Sequence, residues 1–212
     1  MPFELILPKM VDEPSFESFL LQAASIVRRQ QTLILEMGPV EAMDPCGMLG
    51  LLELGRHLRL RGHRVLLHQP LSADLQQQLE RAGFFAQAQP ICAVYPPYRK
   101  SVPPTQKRGG DFPLEITPIA TAEAVTRAVG RLRERMGGAG EAVITILSAL
   151  LTKRVEQGGT GGYAVVRSDS SGITIAVSDR GPTAGIKNET LPQDGRPLLP
   201  GSRFRIVLPP LA

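Results

Sequence analysis

The sequence predicts two successive units of different class, an α/β unit over residues 1–95 and an α+β unit over residues 112–212, joined by a linker over residues 96–111. Three observations predict it. β-favouring runs alternate with apolar-periodic helices through the first unit. The stretch YPPYRKSVPPTQKRGGD, from Tyr95 to Asp111, sets four prolines and two glycines among cations and offers little to bury, which is the composition of an exposed, semi-extended linker. Beyond it, two helical segments precede closely spaced strands, a different rhythm from the first half.

In the first unit, Phe3 to Leu7 is a short β-favouring run. Pro14 at a first-turn position opens a helix whose apolar positions Phe16, Phe19, Leu20, Ala23 and Val27 recur at helical spacing. Thr32 to Met37 (TLILEM) reads as a strand covered on both faces. Asp44 and Pro45 start the next helix: the Asp44 carboxylate accepts from a first-turn amide, and Pro45 gives up only an N–H that has no helical partner there. Met48, Leu51, Leu52 and Leu58 form its core stripe and Gly62 ends it. Arg64 to His68 is a strand, Ser72 caps a helix carrying Leu75 and Leu79 with Gly83 after it, and Ile91 to Tyr95 is the last strand. The order is βαβαβαβ.

In the second unit, Leu114 to Ile119 is strand-like, and Thr121 caps a helix to about Met136. A second helix runs from about Glu141 to Gln157 and stops at Gly158-Gly159. Strands follow at Tyr163 to Arg167, Ile173 to Ser178 and Phe204 to Leu208, with Asp169-Ser170-Ser171-Gly172 as the turn between the first two. Two helices on one face of a mostly antiparallel sheet is the expected architecture.

Composition excludes several function classes. The 24 Lys and Arg exceed the 20 Asp and Glu by a surplus spread along the chain without aromatic interleaving, so nucleic acid is not the expected partner. No window has the uninterrupted apolar length of a membrane span, and charged residues occupy the first twenty positions where a leader needs an apolar core, so the expected location is the cytoplasm. Cys46 and Cys92 form no CxxC pair, and His57, His63 and His68 have no second ligand cluster, so no metal site is expected.

The run from Thr32 to Phe84 resembles the STAS domain of anti-sigma factor antagonists: an apolar strand, a short loop, an Asp-Ser-Ser/Thr-Gly pattern opening an apolar helix, a glycine before a strand, and a helix ending in Leu-x-x-x-Gly. Here the pattern reads Asp44-Pro45-Cys46-Gly47, matching at the aspartate and the glycine and departing at both hydroxyl positions. The resemblance implies that a serine here is phosphorylated to release a partner kinase, a step that Pro45 and Cys46 do not support. It also implies that the helix start docks a protein partner, with Asp44, Pro45, Cys46, Gly47 and Met48 as the binding surface. A thiol at a helix N-terminus raises a further reading, a redox or small-molecule sensor centred on Cys46.

In the second unit, LSALLTKRVEQGG from Leu147 to Gly159, followed by paired strands ending in VSDRGP, resembles the GHKL (Bergerat-type) ATPase fold of anti-sigma factor serine kinases. Laid against that pattern, Ala149 stands where the family has its glutamate base, Lys153 where an asparagine holds Mg²⁺, and Gln157 where a histidine stands. A methyl cannot take a proton and an ammonium repels the metal. Asp179 and Gly181 match the adenine-contacting aspartate and first glycine, but only 19 residues separate Gly181 from Gly201, without helical period, so the ATP lid and second phosphate loop of the family are expected to be missing. The resemblance thus implies a truncated, degenerate nucleotide site.

The expectation is an α/β STAS-like domain fused to an α+β GHKL ATPase-like domain that acts without catalysis, as a scaffold or decoy binding an anti-sigma, serine-kinase or antagonist type of protein in a bacterial partner-switching circuit. No cofactor is expected, ATP with Mg²⁺ being disfavoured. A divergent ATP-dependent serine kinase is the chief alternative, and the sequence leaves open whether a homodimer forms through a strand edge.

Overall fold

Four parallel strands carry the first unit in the computed structural model, which describes residues 2–27, 32–98, 111–156, 161–179 and 203–209. The chain divides into two units, the first over the described residues up to 98 and the second over those from 111 onward.

The first unit runs β1 (Phe3–Ile6), β2 (Met10–Val11), α1 (Glu13–Val27), β3 (Thr32–Glu36), β4 (Ala42–Met43), α2 (Pro45–Leu60), β5 (Arg64–His68), α3 (Ala73–Arg81), α4 (Phe84–Ala88) and β6 (Ala93–Tyr95). The sheet order is β1-β3-β5-β6, parallel at every pairing, with a separate two-strand ladder between β2 and β4. Each crossover steps the same way across the sheet. Since such crossovers are right-handed, their helices gather on one face. α1 packs on α2, α2 on α4 and α4 on α3 as that layer. Leu5, Leu33, Leu35, Val65 and Leu67 point into it and are buried. Glu4, Ile6, Arg64, Ala93 and Tyr95, on the alternate parity, are exposed. β3 buries Leu33, Ile34 and Leu35 in succession, in keeping with its apolar run, while Thr32 and Glu36 at its ends are half-buried.

Two features escape the sequence pattern. Gly83 takes φ +74°, which breaks the chain out of α3 and lets Phe84–Ala88 restart as α4; the last strand then begins at Ala93 rather than Ile91. The β2–β4 ladder is two residues long, too short for alternation to show.

The second unit runs β7 (Leu114–Pro118), α5 (Ala122–Met136), a 3₁₀ turn (Gly137–Gly140), α6 (Glu141–Glu156), β8 (Gly162–Asp169), β9 (Gly172–Asp179) and β10 (Arg203–Leu208). The sheet order is β10-β9-β8-β7, antiparallel throughout. Val125, Ala128 and Leu132 of α5 and Val143, Leu147 and Leu151 of α6 form one buried cluster with Val166, Ile173, Ile175 and Val177 of the sheet. This is an α+β unit with both helices on one face. Gly172 closes the β8–β9 turn at φ +138°, where a Cβ would lie 2.2 Å from the Leu208 carbonyl oxygen.

Candidate functional site

The start of α2 is built as its sequence dictates. Asp44 is extended at φ −84°, ψ 168°, its Oδ1 accepts from the Gly47 N–H at 2.7 Å, and Pro45 occupies the first turn. The Asp44 N–H in turn donates to the Val11 carbonyl at 3.1 Å, so the β2–β4 ladder holds the cap in place. At the far end Gly62 takes φ +85°, past the last basic turn.

Burial at this helix start differs from the expected docking surface. Pro45, Cys46, Gly47 and Met48 are buried, Cys46 at 3% and Met48 at 0% exposure, and only Asp44 is half-buried. Gly47 is pressed against Val11, where a Cβ would come within 2.3 Å of the carbonyl oxygen, and at Gly50 a Cβ would come within 2.5 Å of the Phe16 ring. These positions are a packing seam between α2, β2 and α1. What this end does present is the start of the β2–β4 ladder beside the cap: Glu41, Ala42 and Met10 are exposed, and Lys9 pairs with Glu41 at 2.8 Å. No hydroxyl stands in the first turn of α2, and none of its first four residues is acidic.

A row of side chains that sequence reading missed lies at the carboxyl ends of the parallel strands. Ile6, Glu36, His68 and Tyr95 are in register across β1, β3, β5 and β6. Glu36 Oε2 is 2.6 Å from His68 Nδ1 and Glu36 Oε1 accepts from the Gly38 N–H at 2.7 Å. The His68 and Tyr95 rings lie 5.5 Å apart. Only the strand register, which no local pattern encodes, brings them together.

In the second unit an open groove of about 680 Å³ runs along α5 and α6, lined by Val129 and Arg133 from the first and Ser148, Ala149, Thr152 and Lys153 from the second. Ala149 and Lys153, the positions singled out on α6, thus share one groove and are both exposed. Asp179 ends β9 opposite Gly162; Gln157 and Gly181 lie outside the described residues, as does the segment after Gly181. Asp169 is committed to its turn, its Oδ1 accepting from the Ser171 N–H at 2.9 Å, and those Ser171 hydrogen bonds hold its carboxyl below the usual range.

Among the described residues no three His, Cys, Asp or Glu side chains gather as metal ligands. Burial pushes the Cys92 thiol up to about 11, so it stays protonated at neutral pH. No described helix is long and apolar enough to cross a membrane.

No curated protein and no solved structure matches the chain. The likeness of the second unit to GHKL ATPases has no support from a family match. Residues 7–95 do match the family model of the STAS domain, over the span that holds the parallel sheet, its one-sided helix layer and the Asp44-capped helix; the first unit is a STAS domain.

Proposed function

We propose that the chain is a non-catalytic regulatory protein that works by protein–protein binding in a partner-switching circuit of the anti-sigma factor and antagonist kind. The observation that carries this reading is the start of α2 within a STAS domain. It keeps the capping aspartate and the tight glycine of the motif while Pro45 and Cys46 remove the hydroxyls a kinase needs. STAS domains meet protein partners, and the surface open to one here is the Lys9–Glu41 pair with Met10 and Ala42 around the Asp44 cap.

The second unit serves, in this reading, as a binding module whose ancestral nucleotide chemistry is gone. Lys153 brings a positive charge and Ala149 a methyl to the groove on α6. An ammonium repels Mg²⁺, and a methyl neither coordinates nor takes a proton. A divergent serine kinase, the alternative, would have to hold its metal and activate its hydroxyl with other groups. Titration calorimetry with ATP and Mg²⁺ separates the two. The expected result is no binding heat; a Kd tighter than about 100 µM, about −5.5 kcal/mol, overturns the non-catalytic reading. The sensor reading at Cys46 draws no support from a thiol at 3% exposure.

A further inference from the structure

A parallel sheet is ordinarily covered on both faces, because its crossover helices fall on either side. Here the strand order β1-β3-β5-β6 sends every crossover to one side, so among the described residues no helix of this unit lies on the other, where Ile34 is buried at the centre and the edges are exposed. That second face carries three rows in register: Ile6, Glu36, His68 and Tyr95; Glu4, Ile34, Leu66 and Ala93; Thr32 and Arg64. Ile6 at 60% and Tyr95 at 59% exposure are large apolar side chains at the two edges of the top row, standing in water.

We propose that this face receives a second copy of the chain, stacked sheet to sheet about a twofold axis that runs along the strands between β3 and β5. Such an axis lays β1 over β6 and β3 over β5, and the rows read across as complementary pairs. Ile6 meets the partner's Tyr95, Ile34 meets the partner's Leu66, and Glu36 meets the partner's His68. Glu4 falls on the partner's Ala93 and Arg64 on the partner's Thr32, so no like charges face each other. An axis across the strands instead sets Glu4 against the partner's Glu4. Strands kept in one direction also match the aligned packing that twisted sheets prefer.

The size of the face sets the strength. Four strands about 4.8 Å apart and five residues at about 3.3 Å give roughly 300 Å² of projected area per copy. A standard stable interface removes about 800 Å² per partner. The pairing is therefore weak and depends on concentration, driven by the exposed apolar edges at Ile6 and Tyr95 and given its register by the Glu36 and His68 contacts.

Sedimentation velocity on the full chain across the micromolar to millimolar range tests it, with Ile6→Lys, Tyr95→Glu and, as a second probe at an exposed position, Ala93→Glu, each checked for folding by circular dichroism. The wild type is expected to pass from monomer to dimer, and each variant to weaken the dimer at least about tenfold. An equimolar mixture of Ile6→Lys with Tyr95→Glu is expected to recover dimer, since one of its two edge contacts becomes an ion pair and the other stays native. A wild type that remains monomeric throughout, a dimer indifferent to all three variants, or a mixture as dissociated as its components each overturns the proposal.

Discussion

Glu36 and His68 are paired in register on neighbouring parallel strands, with Oε2 2.6 Å from Nδ1, while the other carboxylate oxygen holds the Gly38 amide at 2.7 Å. One side chain therefore ties two strand ends and the turn that leaves β3 toward the start of α2. Glu36→Ala removes both acceptors and leaves a half-buried amide without its partner, at a cost of about 1–3 kcal/mol. Urea midpoints give the loss, and faster hydrogen exchange at the Gly38 amide locates it. Glu36→Gln keeps an acceptor for that amide and is expected to lose less than half as much.

The glycines of the chain separate by what surrounds them. At Gly50 a Cβ would stand 2.5 Å from the Phe16 ring, and at Gly47 2.3 Å from the Val11 carbonyl, a backbone atom that cannot step aside. Gly47→Ala is expected to destabilise by about 1–3 kcal/mol, the cost of overpacking a filled seam. Gly130, in the middle of α5, has nothing within 4 Å of the place a methyl would take and no left-handed backbone, so Gly130→Ala is expected to stabilise by about 0.5–1 kcal/mol through helix propensity alone. Thermal melts of the two variants should move in opposite directions.

The contrast between these glycines also shows what a sequence discloses. Asp44-Pro45 at one end of α2 and Gly62 at the other are local signals, written in adjacent residues and acting on adjacent amides, and the helix runs between them as they dictate. Ser72 and Thr121 start α3 and α5 by the same chemistry, accepting from the Leu75 and Ala124 amides. Met48 was legible as part of the core stripe of α2, but the close packing of Gly47 and Gly50 beside it was not, because it depends on Val11 and Phe16 arriving from elsewhere in the chain. The row through Glu36 and His68 depends likewise on register, and the gathering of the described helices on one sheet face on the direction in which successive crossovers step. Local chemistry reads forward from sequence; which face of an element stays open is a property of topology.

Removing the Asp44 cap tests the local half of that statement. Asp44→Ala leaves the Gly47 amide without its acceptor at 2.7 Å and is expected to cost about 1 kcal/mol, within the range measured for helix caps. Asp44→Ser, whose hydroxyl oxygen accepts from the same amide, should recover most of it. Equal losses for the two substitutions in chemical denaturation would show that the cap bond contributes nothing.

His57 makes the first unit sensitive to acid. Burial of the ring, with Arg61 and His63 nearby, lowers its pKa from 6.5 to about 4, and its buried Nε2 has no hydrogen-bond partner among the described residues. The unfolded chain binds a proton near pH 6.5 and the folded chain only near 4, so between these values the unfolded state holds more protons and stability falls as pH falls. Above pH 6.5 the ring is neutral in both states and contributes no pH dependence; below about 4 the loss is complete. Because the ring is only half-buried, solvent screening reduces the effect to about 1–2 kcal/mol. His57→Leu removes the titration. The stability difference between wild type and variant, followed by urea unfolding from about pH 7.5 downward, is expected to change across this window and to be flat above it. A difference that stays constant through the window would mean that the His57 ring titrates alike in the folded and unfolded chain.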